Sequence, residues 1–194
     1  MKTNIILAGV GGQGILTIAA VIDTAALACN LNIKQSEVHG MSQRGGAVQS
    51  HVRISDKEIH SDLIPLGKAD LIISVEPMEL LRYLPYLKKN GFLITDLNPF
   101  VNISNYPELK KVYQEINSHP NSILIDAKKA AKDLGNSKAT NIILLGAASS
   151  QLPLSDNSLQ EAIKTLFKRK GDKVVNKNLE AFNKGKEITT EIVL

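Results

Sequence analysis

Three glycines at Gly9, Gly11 and Gly14, placed between an apolar run and a helical segment, constrain the fold of this chain more than any other feature. The apolar run Asn4–Ala8 predicts a buried strand, and the Ala- and Ile-rich segment Ile15–Leu27 predicts a helix. Glycines at this spacing permit a tight turn, close approach of a phosphate to the backbone, and close packing of helix on strand. Free N–H groups at the start of the helix would then favour an anion. The feature therefore predicts an α/β unit with an anionic ligand at the turn, although strand–helix packing alone would also explain the glycines.

Strands and helices alternate along most of the remaining sequence. Further strands are predicted at residues 31–38, 47–54, 70–75, 92–96 and 123–126. Further helices are predicted at residues 77–89, 127–134, 141–151, 155–168 and 174–187, with Asn90 and Gly91 ending the first of them. The alternating segment 47–54 is expected to pair with residues 58–61 as an antiparallel hairpin added to the sheet. We expect a three-layer Rossmann-like α/β fold with a mainly parallel sheet, one domain over residues 1–194, and a helical extension over about 140–194.

Composition and charge exclude several classes of function. The 194 residues include 23 Lys and Arg against 19 Asp and Glu, and the excess lies in residues 168–187, which we interpret as a solvated helix face. With no tryptophan and few other aromatic residues, nucleic-acid binding is not expected. No apolar run is long enough for a membrane helix, so no membrane partner is expected. A single cysteine and no targeting signal predict a cytoplasmic protein.

Glu37 supports an alternative in which the glycine turn binds a dinucleotide. It lies near the end of the second predicted strand, about 20 residues beyond Gly14, where dinucleotide-binding domains place an acid that contacts the ribose hydroxyls. This alternative is a free-standing NAD(P)-dependent reductase. A non-enzymatic module that binds a nucleotide or coenzyme A is a further alternative. Equally, Glu37 fits a surface carboxylate or an ion-pair partner.

A second polar loop, HGMSQRGG at residues 39–46, contains three glycines and an arginine. Arg44 can bind a carboxylate or phosphate through two hydrogen bonds, or tie the loop to a neighbouring carboxylate or a partner chain. His39 is a candidate proton shuttle, and a structural hydrogen bond is its simpler role. The candidate ligand-binding residues of the two loops are Gly9, Gly11, Gly12, Gln13, Gly14, Glu37, Ser42, Gln43, Arg44, Gly45 and Gly46, and His39 is the one catalytic candidate.

Other chemistry-bearing residues have simpler structural interpretations. Glu76 and Asp96 follow predicted strands, where each contacts a ligand or caps the next helix. The four histidines do not have zinc-ligand spacing, so no metal site is expected. Cys29 is interpreted as a small packing residue. The small residues 146–149 permit close helix packing, within the chain or against a subunit.

The two glycine loops together resemble a known family. GVGGQGILT at residues 9–17 and EVHGMSQRGGAVQSHVRI at residues 37–54 are similar to the small subunit of 2-oxoacid:ferredoxin oxidoreductases. HGMSQRGG resembles the indolepyruvate branch, its beta subunit, more than the pyruvate or 2-oxoglutarate branches. DLIISVEP, GFLITD and a helical final third follow in the family's order, so the resemblance spans nearly the whole chain.

The resemblance implies a role in a complex that decarboxylates a 2-oxoacid, here indolepyruvate or another aryl pyruvate. Such a complex uses thiamine diphosphate, magnesium, iron–sulfur clusters and coenzyme A, and passes electrons to ferredoxin. One cysteine cannot hold a cluster, and Gly171-Asp172-Lys173 is the nearest match to the family's magnesium-binding GDG motif. A large partner subunit is therefore expected to supply these groups, and this chain alone is expected to be inactive. The resemblance implies that this chain supplies a Rossmann-like wall, and part of the coenzyme A or cofactor pocket through the glycine loop and Arg44.

Overall fold

The computed structural model describes residues 1–40, 45–101 and 103–193, and these contain one six-stranded sheet. Its strands are β1 (Lys2–Val10), β2 (Asn32–His39), β3 (Ala47–Ser55), β4 (Ala69–Ser74), β5 (Leu87–Asp96) and β6 (Ser122–Ile125), in the spatial order β2-β3-β1-β4-β5-β6. The helices are α1 (Ile15–Ala28), α2 (Pro77–Arg82), α3 (Leu109–Asn117), α4 (Ala127–Asp133), α5 (Thr140–Ala148), α6 (Asp156–Phe167) and α7 (Asp172–Val193). Among the described residues, none of these helices combines the length and apolar character needed to cross a membrane.

The sheet confirms the α/β class with a mainly parallel core. β1, β4, β5 and β6 are parallel neighbours, and β3 lies antiparallel between β1 and β2. The expected hairpin is wrong in its partner, because β3 pairs with β1 and β2 and residues 58–61 form no strand. Instead, Arg53 donates hydrogen bonds to the carbonyl oxygens of Ser61 and Leu63, at 2.6 and 2.9 Å. Residues 56–68 therefore cover one face of β3 without extending the sheet.

The helices divide between the two faces of the sheet. α1, α4, α5, α6 and α7 share one hydrophobic cluster with the inward side chains of β1, β3 and β4. The opposite face packs α2 and α3 against a second, smaller cluster. The result is the expected three-layer arrangement, and the last three helices belong to the same core as the first. This shared core supports our proposal of one domain over residues 1–194.

α5 and α7 cross at glycines that bring the two backbones into contact. A Cβ atom added at Gly146 would lie 2.0 Å from the carbonyl oxygen of Phe182, and one added at Gly185 would lie 1.9 Å from that of Ile143. No side chain fits at either position. The small residues 146–149 therefore serve packing within this chain.

The helix expected over residues 77–89 is wrong in its second half. α2 ends at Arg82, a short 3₁₀ turn follows at Leu84–Tyr86, and Asn90 and Gly91 lie inside β5. Pro85 explains the break, because proline removes a backbone N–H and clashes with the preceding helical turn. α3 was not anticipated, and α7 extends beyond both expected ends.

Candidate functional site

The two glycine segments lie against each other at one edge of the sheet. β3 runs antiparallel to β1, so its first residue, Ala47, lies opposite Val10 at the end of β1. The N–H of Gly11 donates to the carbonyl oxygen of Gly46 at 2.8 Å. The N–H of Gly45 points to the carbonyl oxygen of Gly11 at 3.5 Å. Segments separated by more than 30 residues thus form one surface beside the carboxyl ends of the parallel strands, where open α/β sheets bind ligands.

The first loop requires its glycines for two distinct reasons. Gly14, the N-cap of α1, has φ +79°, a left-handed conformation that favours glycine. A Cβ there would also lie 2.6 Å from Nδ2 of Asn141, which donates to the Gly14 carbonyl oxygen at 2.9 Å. At Gly9 space is limiting, since a Cβ would lie 2.6 Å from Cδ1 of Ile15. Gln13 closes the loop, because its Oε1 accepts a hydrogen bond from the N–H of Val10 at 2.8 Å.

The remaining sequence-predicted residues of the two loops occupy different positions. His39 lines a cavity beside Gly11 and Gly12, whereas Glu37 does not. Glu37 is exposed on β2, and its Oε1 lies 3.4 Å from Nε2 of His39. Ser42, Gln43 and Arg44 fall outside the described residues.

The glycine loop separates cavities of different chemical character. The cavity on the β2 side, about 570 Å³, is lined by His39, Gly40, Val48 and the loop, and none of its described lining residues is Lys, Arg, Asp or Glu. On the other side lie two cavities of about 410 and 440 Å³, and both include Gly12, Gln13 and Lys138. Lys128 lines the first and Lys170 the second. The described cationic side chains at this edge therefore lie along the side facing α4, α5 and α7.

Sequence reasoning missed Lys128 and Lys138 and interpreted Lys170 as part of a solvated face. Lys128 lies in the first turn of α4, directly after β6, and Lys138 lies just before α5. Both follow the last parallel strand, where the chain emerges at the ligand-binding edge. That position is the signal that could have identified them.

The carboxylates Glu76 and Asp96 both act as structural acceptors. Glu76, 1% exposed, accepts the N–H of Glu79 at 2.8 Å and so caps α2. It also accepts the Phe100 N–H at 3.4 Å and the hydroxyl of Tyr106. Burial, and next this hydrogen bond, raise the pKa of Tyr106 above its ordinary value.

Asp96 holds the start of α4, which is not the helix that follows it in the chain and has Asp126 as its N-cap residue. The Oδ1 of Asp96 accepts the N–H of Ala127 at 2.9 Å, in the first turn of α4. Burial raises the pKa of Asp96, and its hydrogen bonds partly oppose that shift. The capping interpretation is confirmed for Glu76, whereas Asp96 supports α4 and not the following helix α3, and it lines the cavity of about 410 Å³ beside the glycine loop.

Cys29 and His51 do not line the cavities beside the glycine loop. Cys29 is exposed near the end of α1. His51 is buried, its Nδ1 accepts the N–H of Ile64 at 3.0 Å, and burial lowers its pKa. Within residues 1–40, 45–101 and 103–193, no group of three or more His, Cys, Asp or Glu side chains could hold a metal ion.

Comparisons with known proteins agree with the two-loop motif. The family model described as pyruvate ferredoxin/flavodoxin oxidoreductase matches residues 4–188. The chain is 38% identical to the indolepyruvate oxidoreductase subunit IorB of Thermococcus kodakarensis, covering 98% of this chain and 97% of that protein.

Two solved structures share the fold. The chain superposes on the gamma subunit of a keto/oxoacid ferredoxin oxidoreductase from Geobacter sulfurreducens with a TM-score of 0.71 and 25% identity, covering 97% of this chain and 99% of that one. It also superposes on a 2-oxoglutarate:ferredoxin oxidoreductase from Magnetococcus marinus, determined with 2-oxoglutarate, coenzyme A and succinyl-CoA, with a TM-score of 0.79 and 24% identity. That match covers 98% of this chain and 31% of the larger chain.

Proposed function

The chain belongs to the pyruvate ferredoxin/flavodoxin oxidoreductase family, and we propose that it is the small subunit of a complex that oxidises indolepyruvate and related aryl pyruvates. The reaction converts a 2-oxoacid, coenzyme A and two oxidised ferredoxins into an acyl-CoA, carbon dioxide, a proton and two reduced ferredoxins. The observation that carries the proposal is the contact of Gly11 with Gly46, which joins the two motif segments into one surface. Identity of 38% with an indolepyruvate oxidoreductase subunit over nearly the whole chain supports the substrate branch.

We assign the redox cofactors to a large partner subunit. Thiamine diphosphate with magnesium and iron–sulfur clusters supply the decarboxylation and the electron transfer. The single cysteine of this chain, Cys29, is exposed and cannot ligate a cluster alone. The partners are thus a large subunit, ferredoxin and the 2-oxoacid, and the single cysteine supports a cytoplasmic location.

The part of this chain in catalysis is to form one wall of the coenzyme A pocket. Coenzyme A carries a diphosphate and a 3′-phosphate, and Lys128, Lys138 and Lys170 border two adjoining cavities beside the loop. Gly12 has open space around its Cβ position, so a ligand can approach its backbone closely. These residues fit a phosphate-bearing ligand, which they would orient. Gly9, Gly14 and Gln13 hold the loop in shape, and Gly45 and Gly46 lie beside Gly11. On the resemblance of the second motif, Ser42, Gln43 and Arg44, outside the described residues, are proposed as further ligand-binding residues.

Reconstitution with the large subunit tests the proposed function. The two chains, co-expressed and purified without oxygen, are expected to reduce ferredoxin with indolepyruvate and coenzyme A, and neither chain alone is expected to do so. A panel of indolepyruvate, phenylpyruvate, pyruvate and 2-oxoglutarate identifies the branch. Turnover by the small chain alone, or a large subunit fully active without it, would contradict the assignment.

Lys138→Ala tests the coenzyme A wall within that complex. Loss of one charged contact to a phosphate is expected to raise the KM for coenzyme A about tenfold with kcat nearly unchanged. Lys132→Ala is the matched control, because Lys132 is an exposed lysine in α4 that lines neither cavity. Equal KM values for coenzyme A in both variants would contradict the assignment of these lysines to the coenzyme A site.

The geometry weakens the dinucleotide-binding alternative. In a dinucleotide fold the acid-bearing strand neighbours β1, but here β3 lies between β1 and β2. Glu37 is opposite Ser50, which is opposite Leu7. Glu37 is therefore level with Leu7 and does not reach the carboxyl end of β1 at Val10, where the glycine turn begins. Titration of the isolated chain with nicotinamide nucleotides separates the two functions, because micromolar binding would favour the reductase.

A further inference from the structure

A separate cavity of about 440 Å³ lies at the opposite edge of the sheet from the glycine loops. The parallel strands β1, β4 and β5 begin at this edge. Four cationic side chains and one carboxylate line the cavity: Lys2, Arg53, Lys68, Lys88 and Asp70. The cavity therefore carries a net positive charge.

Arg53 is the buried element of this cavity. The residue is 6% exposed, on β3, directly opposite Asn4 of β1. Its Nε donates to Oδ1 of Asn4 at 3.1 Å, and its Nη1 donates to the carbonyl oxygens of Ser61 and Leu63. All three acceptors are neutral. These bonds fix the plane of the guanidinium group before any ligand arrives.

The charge of Arg53 is not neutralised by the part of the chain that the structure describes. Among those residues, the hydrogen bonds of the guanidinium all go to neutral oxygens and come from Nε and Nη1, with none from Nη2. Arginine is rarely buried unless it is paired, because an uncompensated buried charge is costly. A structural tie from β3 to Asn4 of β1 explains Nε, and a tie from β3 to Ser61 and Leu63 explains Nη1. Neither tie uses Nη2, which reaches solvent in the cavity and can therefore meet a ligand there.

The surrounding lysines add to the positive charge. Lys88 forms an ion pair with Asp70, whose other oxygen accepts the N–H of Asn4 at 2.7 Å. Lys2 and Lys68 have no ion-pair partner within the described ranges. Arg53, Lys2 and Lys68 therefore remain as three unneutralised cations around one cavity.

We propose that this cavity binds an oxyanion, the phosphate or carboxylate end of a small metabolite, at a site distinct from the coenzyme A wall. A guanidinium with one nitrogen left over can donate to one oxygen of such a group, and a second charged oxygen can then contact a neighbouring lysine. Nη2 of Arg53 binds one oxygen, and Lys2 and Lys68 attract the others. The proposal is independent of the proposed function, since it uses no residue near the glycine loops.

Calorimetric titration of the full chain tests the site, using inorganic phosphate and succinate as probes at constant ionic strength. Saturable binding of at least one probe, above a matched chloride titration, is expected. Tighter phosphate binding would indicate a phosphoryl ligand, and tighter succinate binding a carboxylate. Binding of neither probe would overturn the proposal.

Paired lysine variants locate the binding. Lys2→Ala combined with Lys68→Ala leaves every side-chain hydrogen bond of Arg53 in place and is expected to weaken binding at least about tenfold. The control combines Lys110→Ala with Lys132→Ala, two exposed lysines elsewhere, with the same change of charge and no expected effect. Equal affinity in both double variants, or loss of binding in Lys138→Ala instead, would overturn the assignment to this cavity.

Discussion

On the face of the sheet covered by α1, α5 and α7, helices are held by apolar and backbone contact, whereas on the face covered by α2 and α3 the buried carboxylate of Glu76 holds the loops. Gly146 and Gly185 let α5 and α7 touch at carbonyl oxygens. Across the sheet, Glu76 accepts hydrogen bonds from three different positions of the chain. The first face tolerates almost no added volume, and the second depends on the charge and geometry of one side chain. Each face also reaches the site, because Asn141 of α5 donates to the carbonyl oxygen of Gly14 and Phe100 lines a cavity beside Gly12.

Gly185→Ala tests the backbone contact and should have the largest effect. Glycine to alanine inside a helix ordinarily stabilises a protein by about 0.4–1 kcal/mol. Here the new Cβ would lie 1.9 Å from the carbonyl oxygen of Ile143, so we expect a loss of about 3 kcal/mol. Urea unfolding measures the difference. Thr190→Ala, at an exposed position of α7, is the control and should be nearly neutral; a neutral Gly185→Ala would contradict the close crossing.

Glu76→Gln tests the opposite face and should have an intermediate effect. The amide has one acceptor oxygen, so at least one of the N–H and O–H donors now bound to Glu76 loses its partner, at about 1–3 kcal/mol. Hydrogen exchange should increase at residues 97–101 and 103–106, which Glu76 anchors. Glu108→Gln changes an exposed carboxylate paired with Lys111. It should leave unchanged both the free energy of unfolding and the hydrogen exchange of these residues. Exchange that increases equally in all regions would argue against a local anchor.

The sequence predicts some of these contacts and not others, for physical reasons. The spacing of Gly9 and Gly14 predicts the strand–turn–helix, because that geometry is local. The insertion of β3 between β1 and β2 is a pairing between distant segments, so alternation of apolar residues alone could not reveal it. Lys138 joins the site only because α4 and α5 bring it beside Gly12.

Whether the sequence predicts the end of a helix, or a contact inside one, also depends on whether the cause is local. Pro85 stands in the sequence as a helix breaker, and its effect on the backbone outweighs the apolar pattern of residues 77–89. The contact at Gly185 is different, since the sequence shows a glycine in a helix without showing what approaches it.

Asp23 is an exception to the comparison of the two faces, because it places a buried carboxyl oxygen on the face covered by α1, α5 and α7. It lies on α1, and its Oδ1 is buried with no hydrogen-bond partner among the described residues. Burial, and next the negative charge of Glu37, raise the pKa of Asp23 to about 6. The folded protein then binds a proton that the unfolded chain releases near pH 4, so stability falls as the pH rises from about 4 to about 6.

Asp23→Asn should reverse this fall and has the smallest expected effect. At pH 7 the amide removes the buried charge, and we expect a gain of about 1 kcal/mol after discounting the pKa shift for solvent screening. At pH 4 the wild-type carboxyl is already protonated in the folded state, so the variant and the wild type should be nearly equal. Urea unfolding at both pH values measures the difference, with Asp133→Asn, an exposed partner of Lys129, as the control. The same gain at pH 4 as at pH 7 would mean that the charge of Asp23 is not its cause, and the face would then be apolar in its energetics throughout.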